Sequence, residues 1–89
     1  MIRVKFPTVF SAVTGGKRRV EVEAGNVKEL LDKLFEEFPG LREKLLRDGD
    51  ITPFINIFVN GEDIRHLKGL ETELKDGDEV AFIPAISGG

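Results

Sequence analysis

The sequence predicts an α+β protein of two layers, in which one helix packs across one face of a β-sheet. The chain begins with two segments of alternating apolar and charged residues, continues with one amphipathic helical segment, and ends with two further strand-like segments. An apolar helix stripe must be buried against an apolar surface, and alternating strands supply one. The expected order is therefore strand, strand, helix, strand, irregular segment, strand.

The first two strands are predicted to form a hairpin. Apolar and basic residues alternate over residues 2–6, and Pro7 ends that regularity or bends it at a sheet edge. Residues 14–17, Thr-Gly-Gly-Lys, are typical of a turn, and Val20 and Val22 then alternate with charged residues. The pattern indicates an antiparallel hairpin with a rather long loop.

A capped amphipathic helix follows. Asn26 is the expected N-cap, and Glu29 stands three residues later, as in a capping box. The apolar residues that follow have helical spacing: Val27, Leu30, Leu31, Leu34, Phe35 and Phe38. Pro39-Gly40 is expected to stop the helix, and residues 41–46 can form one more short helical turn.

The second half supplies the remaining strands. Residues 54–59 are nearly all apolar, which predicts a well-covered strand, and Asn60-Gly61 predicts a tight turn. Residues 67–74 have no clear period and are expected to form a loop with a short helical turn. A turn at 75–78 precedes the last strand, 79–83, with Pro84 at its end. Placed centrally, this strand would hold the terminus rigidly at its root.

Composition excludes several classes of protein. Eighty-nine residues suit one domain, predicted over 1–84, with an extended tail over 85–89. The absence of cysteine rules out disulfides and thiolate sites, and the single histidine, His66, leaves little room for a catalytic triad; no metal site is expected. A net charge of −3 argues against nucleic-acid binding. No apolar run is long enough for a bilayer, so a cytoplasmic location is expected.

The C-terminal residues carry the strongest functional signal. The chain ends in Ser87-Gly88-Gly89, and a terminal glycine carboxylate without a Cβ beside it can enter a narrow active-site channel. The reacting group would be the main-chain carboxylate of Gly89. Gly88 and Ser87 would accompany it into the partner, and Ile86 could dock in a partner groove.

The chain resembles the MoaD/ThiS family of sulfur carriers, which have the β-grasp fold of ubiquitin. The resemblance spans nearly the whole chain and is most specific at 54–65, at Gly69-Leu70, at Thr72, at 76–80 and at the terminal Ile-Pro-Ala-Ile-Ser-Gly-Gly of 83–89. The segments at 7–8 and 14–16 look most like the CysO branch, which serves cysteine synthesis. The resemblance implies a ubiquitin-like mixed sheet with one main helix across it.

The resemblance also implies a mechanism. An adenylating enzyme of the ubiquitin-activating type, similar to MoeB or ThiF, would use ATP to form an acyl-adenylate at Gly89. A sulfur donor would then convert this group to a thiocarboxylate, which gives its sulfur to an acceptor such as a cysteine synthase or the large subunit of a molybdopterin synthase. The chain would bind no cofactor and would not be an enzyme.

Two other functions share this chemistry. Gly89 could be joined to lysines of other proteins, as in a ubiquitin-like modifier, or the chain could be the small subunit of a molybdopterin synthase. Among the side chains, Phe6, Phe58 and Phe82 are expected in the core, and an exposed member would mark a docking patch. Asp63 and Arg65 could form a surface salt bridge with each other or contact the activating enzyme, and the salt bridge is the expectation; His66 is expected to be a loop residue.

Overall fold

The computed structural model describes residues 1–85, and these form a mixed sheet with a helix across it. The strands are β1 (Ile2–Lys5), β2 (Arg19–Val22), β3 (Leu46–Arg47), β4 (Asp50–Ile51), β5 (Ile55–Val59), β6 (Glu62–Asp63) and β7 (Glu79–Pro84). The α-helices are α1 (Ser11–Thr14), α2 (Val27–Glu37) and α3 (Leu41–Leu45). Three short 3-10 helices cover Thr8–Phe10, Ile64–His66 and Gly69–Glu71. The predicted two-layer β-grasp architecture is confirmed.

The last strand lies at the centre of the main sheet, which is the placement that would hold the terminus at its root. The strand order is β2-β1-β7-β5-β6, with β7 parallel to β1 and antiparallel to β5. β1 and β2 form the predicted antiparallel hairpin, in which Val4 lies opposite Val20. β7 is thus held by hydrogen bonds on both sides over its first three residues.

Pro84 marks the end of β7, as predicted, and is itself the last residue of the strand. Pro84 lies opposite Ile55, and the next amide, Ala85 N–H, donates to the Phe54 carbonyl at 2.7 Å. In this antiparallel pattern the nitrogen of residue 84 points away from β5, and β1 pairs with β7 only as far as Ala81. The missing N–H of proline therefore costs no ladder hydrogen bond.

α2 forms for the reasons that its sequence predicts. The Asn26 side chain accepts a hydrogen bond from the Glu29 amide at 2.8 Å. Glu29 Oε1 in turn accepts from the Gly25 amide at 2.6 Å, one residue before the position that a capping box predicts. The apolar stripe is buried against the sheet, with Phe35 only partly buried: Val27, Leu30, Leu31, Leu34 and Phe38.

The long loop of the first hairpin is ordered by an aromatic cluster. The loop contains the 3-10 helix Thr8–Phe10 and α1, neither of which the sequence pattern predicts. Phe10 is buried, and its ring centroid lies 6.5 Å from that of Phe6 and 6.1 Å from that of Phe82. Phe38, at the end of α2, meets Phe6 edge-on at 5.7 Å. The aromatic cluster packs the loop against both the sheet and the end of α2.

Gly40 lets this loop approach the end of α2 closely. A Cβ on Gly40 would lie 2.7 Å from Val13 Cγ1 and 3.0 Å from Val13 Cβ. We expect Gly40→Ala to lower the free energy of unfolding by about 1–3 kcal/mol, because the added methyl group overpacks this contact. Urea denaturation measures the change. Gly25→Ala is the control, since its Cβ would meet only Glu29 Oε1, at 3.7 Å; an equal loss in both variants would contradict the explanation.

The segment between α3 and β5 differs from its prediction. The helical turn ends at Leu45, and Leu46 already begins a two-stranded hairpin, β3–β4, whose turn places Asp48 and Gly49 at φ 55° and 81°. β5 begins at Ile55, and Phe54, predicted within the strand, precedes it and is 59% exposed. Asp48-Gly49 carries a hairpin signal of the same kind as Asn60-Gly61.

Candidate functional site

One face of the main sheet is covered by α2, and the opposite face, here called the open face, is not. Along β5 and β7 the residues on the helix side are buried: Ile55, Ile57, Val59, Val80 and Phe82. The alternate residues lie on the open face, where Asn56, Phe58 and Ala81 are half-buried and Ile83 is 45% exposed. The open face is therefore the accessible surface of the central strands.

The prediction that Phe58 belongs to the core is wrong. Phe6 and Phe82 are buried as predicted, whereas Phe58 is half-buried on the open face. The expected well-covered strand is fully buried on one face and half-buried on the other, because the fold has a helix layer on one side only. Phe58 lies opposite Ala81, and Ile83 occupies the neighbouring row. These three residues, Phe58, Ala81 and Ile83, form the apolar strip.

Charged side chains surround the apolar strip on the open face. On its β1 side, Lys5 Nζ lies 3.4 Å from Glu79 Oε2, and Arg3 donates to the Gly77 carbonyl at 3.2 Å. Beyond them, Arg19 and Glu21 occupy the edge strand β2 and are exposed. On the other side of the strip lies Arg65. An apolar strip with a charged rim is typical of a protein-binding surface.

Arg65 is held in place by two neighbours. Its Nε lies 3.2 Å from both carboxylate oxygens of Asp63, and its Nη2 donates to Asp63 Oδ2 at 2.7 Å. The same Nη2 donates to the Asn56 Oδ1 at 2.9 Å. The predicted ion pair is confirmed, but it is not fully a surface pair, because the Asp63 side chain is only 10% exposed whereas that of Arg65 is 70% exposed.

Asp63 is the acid whose ionisation depends most on this arrangement. Hydrogen bonds from the Arg65 guanidinium, and from the Arg65 backbone amide at 2.8 Å, lower the pKa of Asp63 to about 2. A carboxyl group with a lowered folded-state pKa stabilises the fold above its unfolded-state pKa of 3.8, and that contribution disappears as the pH falls through the folded value.

We expect Asp63→Asn to remove about 1–2 kcal/mol of stability near neutral pH, because charge-assisted hydrogen bonds are lost. The difference from the unchanged chain should shrink as the pH falls from about 4 to about 2, where Asp63 becomes protonated. Urea unfolding at several pH values measures both quantities. A difference that stayed constant across this window would contradict the assignment.

The predicted reacting residues lie outside the described residues. Gly89, Gly88, Ser87 and Ile86 all fall beyond residue 85, and the domain boundary between 84 and 85 stays a prediction. What the structure shows is the root of this segment: Ala85 is hydrogen-bonded to Phe54, beside the open-face residue Ile83. The apolar strip therefore leads along β7 toward the C-terminus.

Two candidate features remain to be placed among residues 1–85, the single histidine of the sequence and possible metal ligands. His66 is exposed and ends a 3-10 helix, as expected of a loop residue. Over residues 1–85 no group of three or more His, Asp or Glu side chains could hold a metal ion. No helix in the same range is long and apolar enough to cross a membrane.

Comparison with known proteins places this geometry in a family. The model of the ThiS family matches residues 4–89. A chain in the crystal structure of the Amycolatopsis orientalis BexX/CysO complex superimposes with a TM-score of 0.92 at 37% identity, covering 100% of both chains.

Two curated relatives agree in length with this chain. The sulfur carrier protein CysO of Mycobacterium tuberculosis is 34% identical, with 99% of this chain and 98% of the relative covered. The small archaeal modifier protein 3 of Haloferax volcanii is 36% identical at the same coverage. The predicted resemblance to MoaD/ThiS sulfur carriers is confirmed, and the chain belongs to the ThiS family.

Proposed function

We propose that the chain is a sulfur carrier that holds sulfur as a thiocarboxylate on Gly89 and delivers it for biosynthesis of cysteine or of a molybdopterin-type cofactor. The observation that carries the proposal is the family match, which extends through the diglycine end. The relative named as a sulfur carrier is similar over its whole length, which supports the same role here.

The chemistry needs two steps, the first at an oxygen of the terminal carboxylate and the second at its carbonyl carbon. A carboxylate is a poor acylating group because its charge repels nucleophiles, so the terminal carboxylate first attacks the α-phosphorus of ATP and expels pyrophosphate. The resulting acyl-adenylate is attacked by a sulfide equivalent, and AMP leaves with the oxygen of the broken acyl C–O bond. The product is a thiocarboxylate that keeps sulfur covalently bound until the acceptor removes it.

The chain itself supplies neither acid nor base in this scheme. Within residues 1–85, carboxylates with lowered pKa values, such as Asp63 and Asp78, accept hydrogen bonds that stabilise the local structure. ATP would be bound by an adenylating enzyme of the MoeB/ThiF type. The chain is thus proposed as a carrier and not as an enzyme, with no cofactor of its own.

The open face is the proposed docking surface for the adenylating enzyme. A protein bound over the apolar strip would lie beside β7, the strand that leads into the terminal residues, and so could guide them into its active site. Phe54 and Ile83 are exposed at this end of the sheet. Exposed apolar groups clustered on a small protein are typical of a partner site.

Exchange of labelled pyrophosphate into ATP tests adenylation. With the adenylating enzyme of the same organism, the chain is expected to support exchange without a sulfur source, and a variant lacking Gly89 is not. No exchange with an enzyme that is active on another carrier would overturn the proposal. Exchange followed by linkage to lysines instead of sulfur transfer would identify a modifier, and a stable complex with a large synthase subunit would identify a synthase subunit.

A further inference from the structure

We propose that Arg65 is a preformed binding site for a carboxylate side chain of the adenylating enzyme that docks on the open face. The proposal rests on the proposed function and adds the residue that gives the docking surface its charge specificity. It depends on three properties of Arg65: its unused donors, its fixed orientation and its position beside the apolar strip.

Arg65 retains donors that no described residue uses. A guanidinium has five N–H groups, and the contacts with Asp63 and Asn56 engage only Nε and Nη2. Within residues 1–85, both N–H groups of Nη1 lack a hydrogen-bonding partner. Because 70% of the side chain is exposed, this edge of the guanidinium is accessible to a second carboxylate.

The orientation of Arg65 is determined before any partner arrives. Asp63 is nearly buried, and its carboxylate accepts hydrogen bonds from Nε and Nη2 of Arg65. Asn56 Oδ1 accepts a further hydrogen bond from Nη2 at 2.9 Å. An arginine held in this way loses little conformational entropy on binding. Lys5, the cation nearest the strip on the other side, is instead already paired with Glu79.

Position and charge indicate an acidic partner group. Asp63 lies opposite Phe58, and Asn56 lies opposite Ile83, so Arg65 spans two rows that belong to the apolar strip. The open-face cations are Arg3, Lys5, Arg19 and Arg65, against the acids Glu21, Asp63 and Glu79. This face therefore carries one more positive than negative charge, although the chain as a whole has a net charge of −3. An acidic group on the partner, placed at the edge of its contact with the apolar strip, would complement this positive charge.

The pyrophosphate-exchange assay with the organism's own adenylating enzyme measures the effect. We expect Arg65→Ala to raise the KM for the carrier by about tenfold at low salt, with kcat unchanged and the effect smaller at high salt. Arg65→Lys should recover little of this loss, because a single ammonium group cannot hold both Asp63 and Asn56 and still present free donors in a fixed direction, as Nη1 of Arg65 does. Arg42→Ala on α3 is the matched control and should leave KM unchanged.

Loss of Arg65 also leaves Asp63 without its counter-ion, so folding needs a separate comparison. Urea unfolding is recorded for every variant, and Asp63→Asn is compared with the double variant Asp63→Asn/Arg65→Ala, in which no unpaired carboxylate remains. A rise in KM from the single to the double variant supports the proposal, and it should be smaller than about tenfold because Asp63→Asn removes the carboxylate that orients Arg65. A rise below about twofold for the folded Arg65→Ala variant itself, or full recovery by lysine, would overturn the proposal. If the unchanged chain supports no exchange, it is the proposed function that fails.

Discussion

Replacing Leu34 by alanine is expected to remove about 3–4 kcal/mol from the free energy of unfolding. Leu34 is completely buried on α2 and belongs to the core that joins the helix to the sheet. The substitution deletes three methyl or methine carbons and leaves a cavity that the surrounding side chains fill only partly. A chain of this length has about 5–13 kcal/mol of stability in total, so the loss is a large fraction of it.

Thermal and urea unfolding followed by circular dichroism measure this loss. The midpoint temperature should fall by roughly 15–25 °C. Glu36→Ala, on the exposed side of the same helix, is the matched control and should change stability by less than about 0.5 kcal/mol. Equal effects of the two substitutions would mean that α2 is stabilised by helix propensity and not by its burial against the sheet.

Replacing Ile83 by aspartate is expected to lower kcat/KM for adenylation by roughly 100-fold, because a charge would be placed in the centre of the docking surface. Ile83 is 45% exposed on the central strand, and the fold does not need it to be apolar. The variant should therefore remain folded while losing affinity for the enzyme, with the effect mainly in KM.

Val9→Asp is the control for this substitution. Val9 is 60% exposed in the loop between β1 and β2, and it is not a residue of the open face. The two variants introduce the same charge at exposed aliphatic positions, so a difference between them reports the position alone. Comparable losses in both, or wild-type kinetics for Ile83→Asp in the folded state, would contradict docking on the open face.

Local signals were sufficient to predict most of the fold. The alternation around Val4 and Val20 predicted the first hairpin, and the Asn26 cap with its apolar stripe predicted α2 to within a residue. Asn60 and Gly61 both adopt positive φ, as their turn signal requires. These features depend on residues that are close together in the sequence, so the sequence alone is enough to predict them.

Features that depend on the assembled layers were harder to predict. An apolar run does not reveal which face of a strand the single helix covers, so Phe58 was assigned to the core although it lies on the open face. The near burial of Asp63 could not be predicted either, since it depends on Arg65 folding over it from the following 3-10 helix. The reactive role of Gly89 stays a prediction from the terminal glycines and the family resemblance alone.

Intact-mass spectrometry tests the carrier chemistry most directly. The chain is incubated with the adenylating enzyme, ATP and a sulfur source, and a variant lacking Gly89 is treated in the same way. The expected result is a mass gain that matches exchange of one oxygen for sulfur, located in the C-terminal fragment and absent from the variant. No gain, with an enzyme shown to convert another carrier in the same mixture, would contradict the proposal that this chain carries sulfur on its terminal glycine.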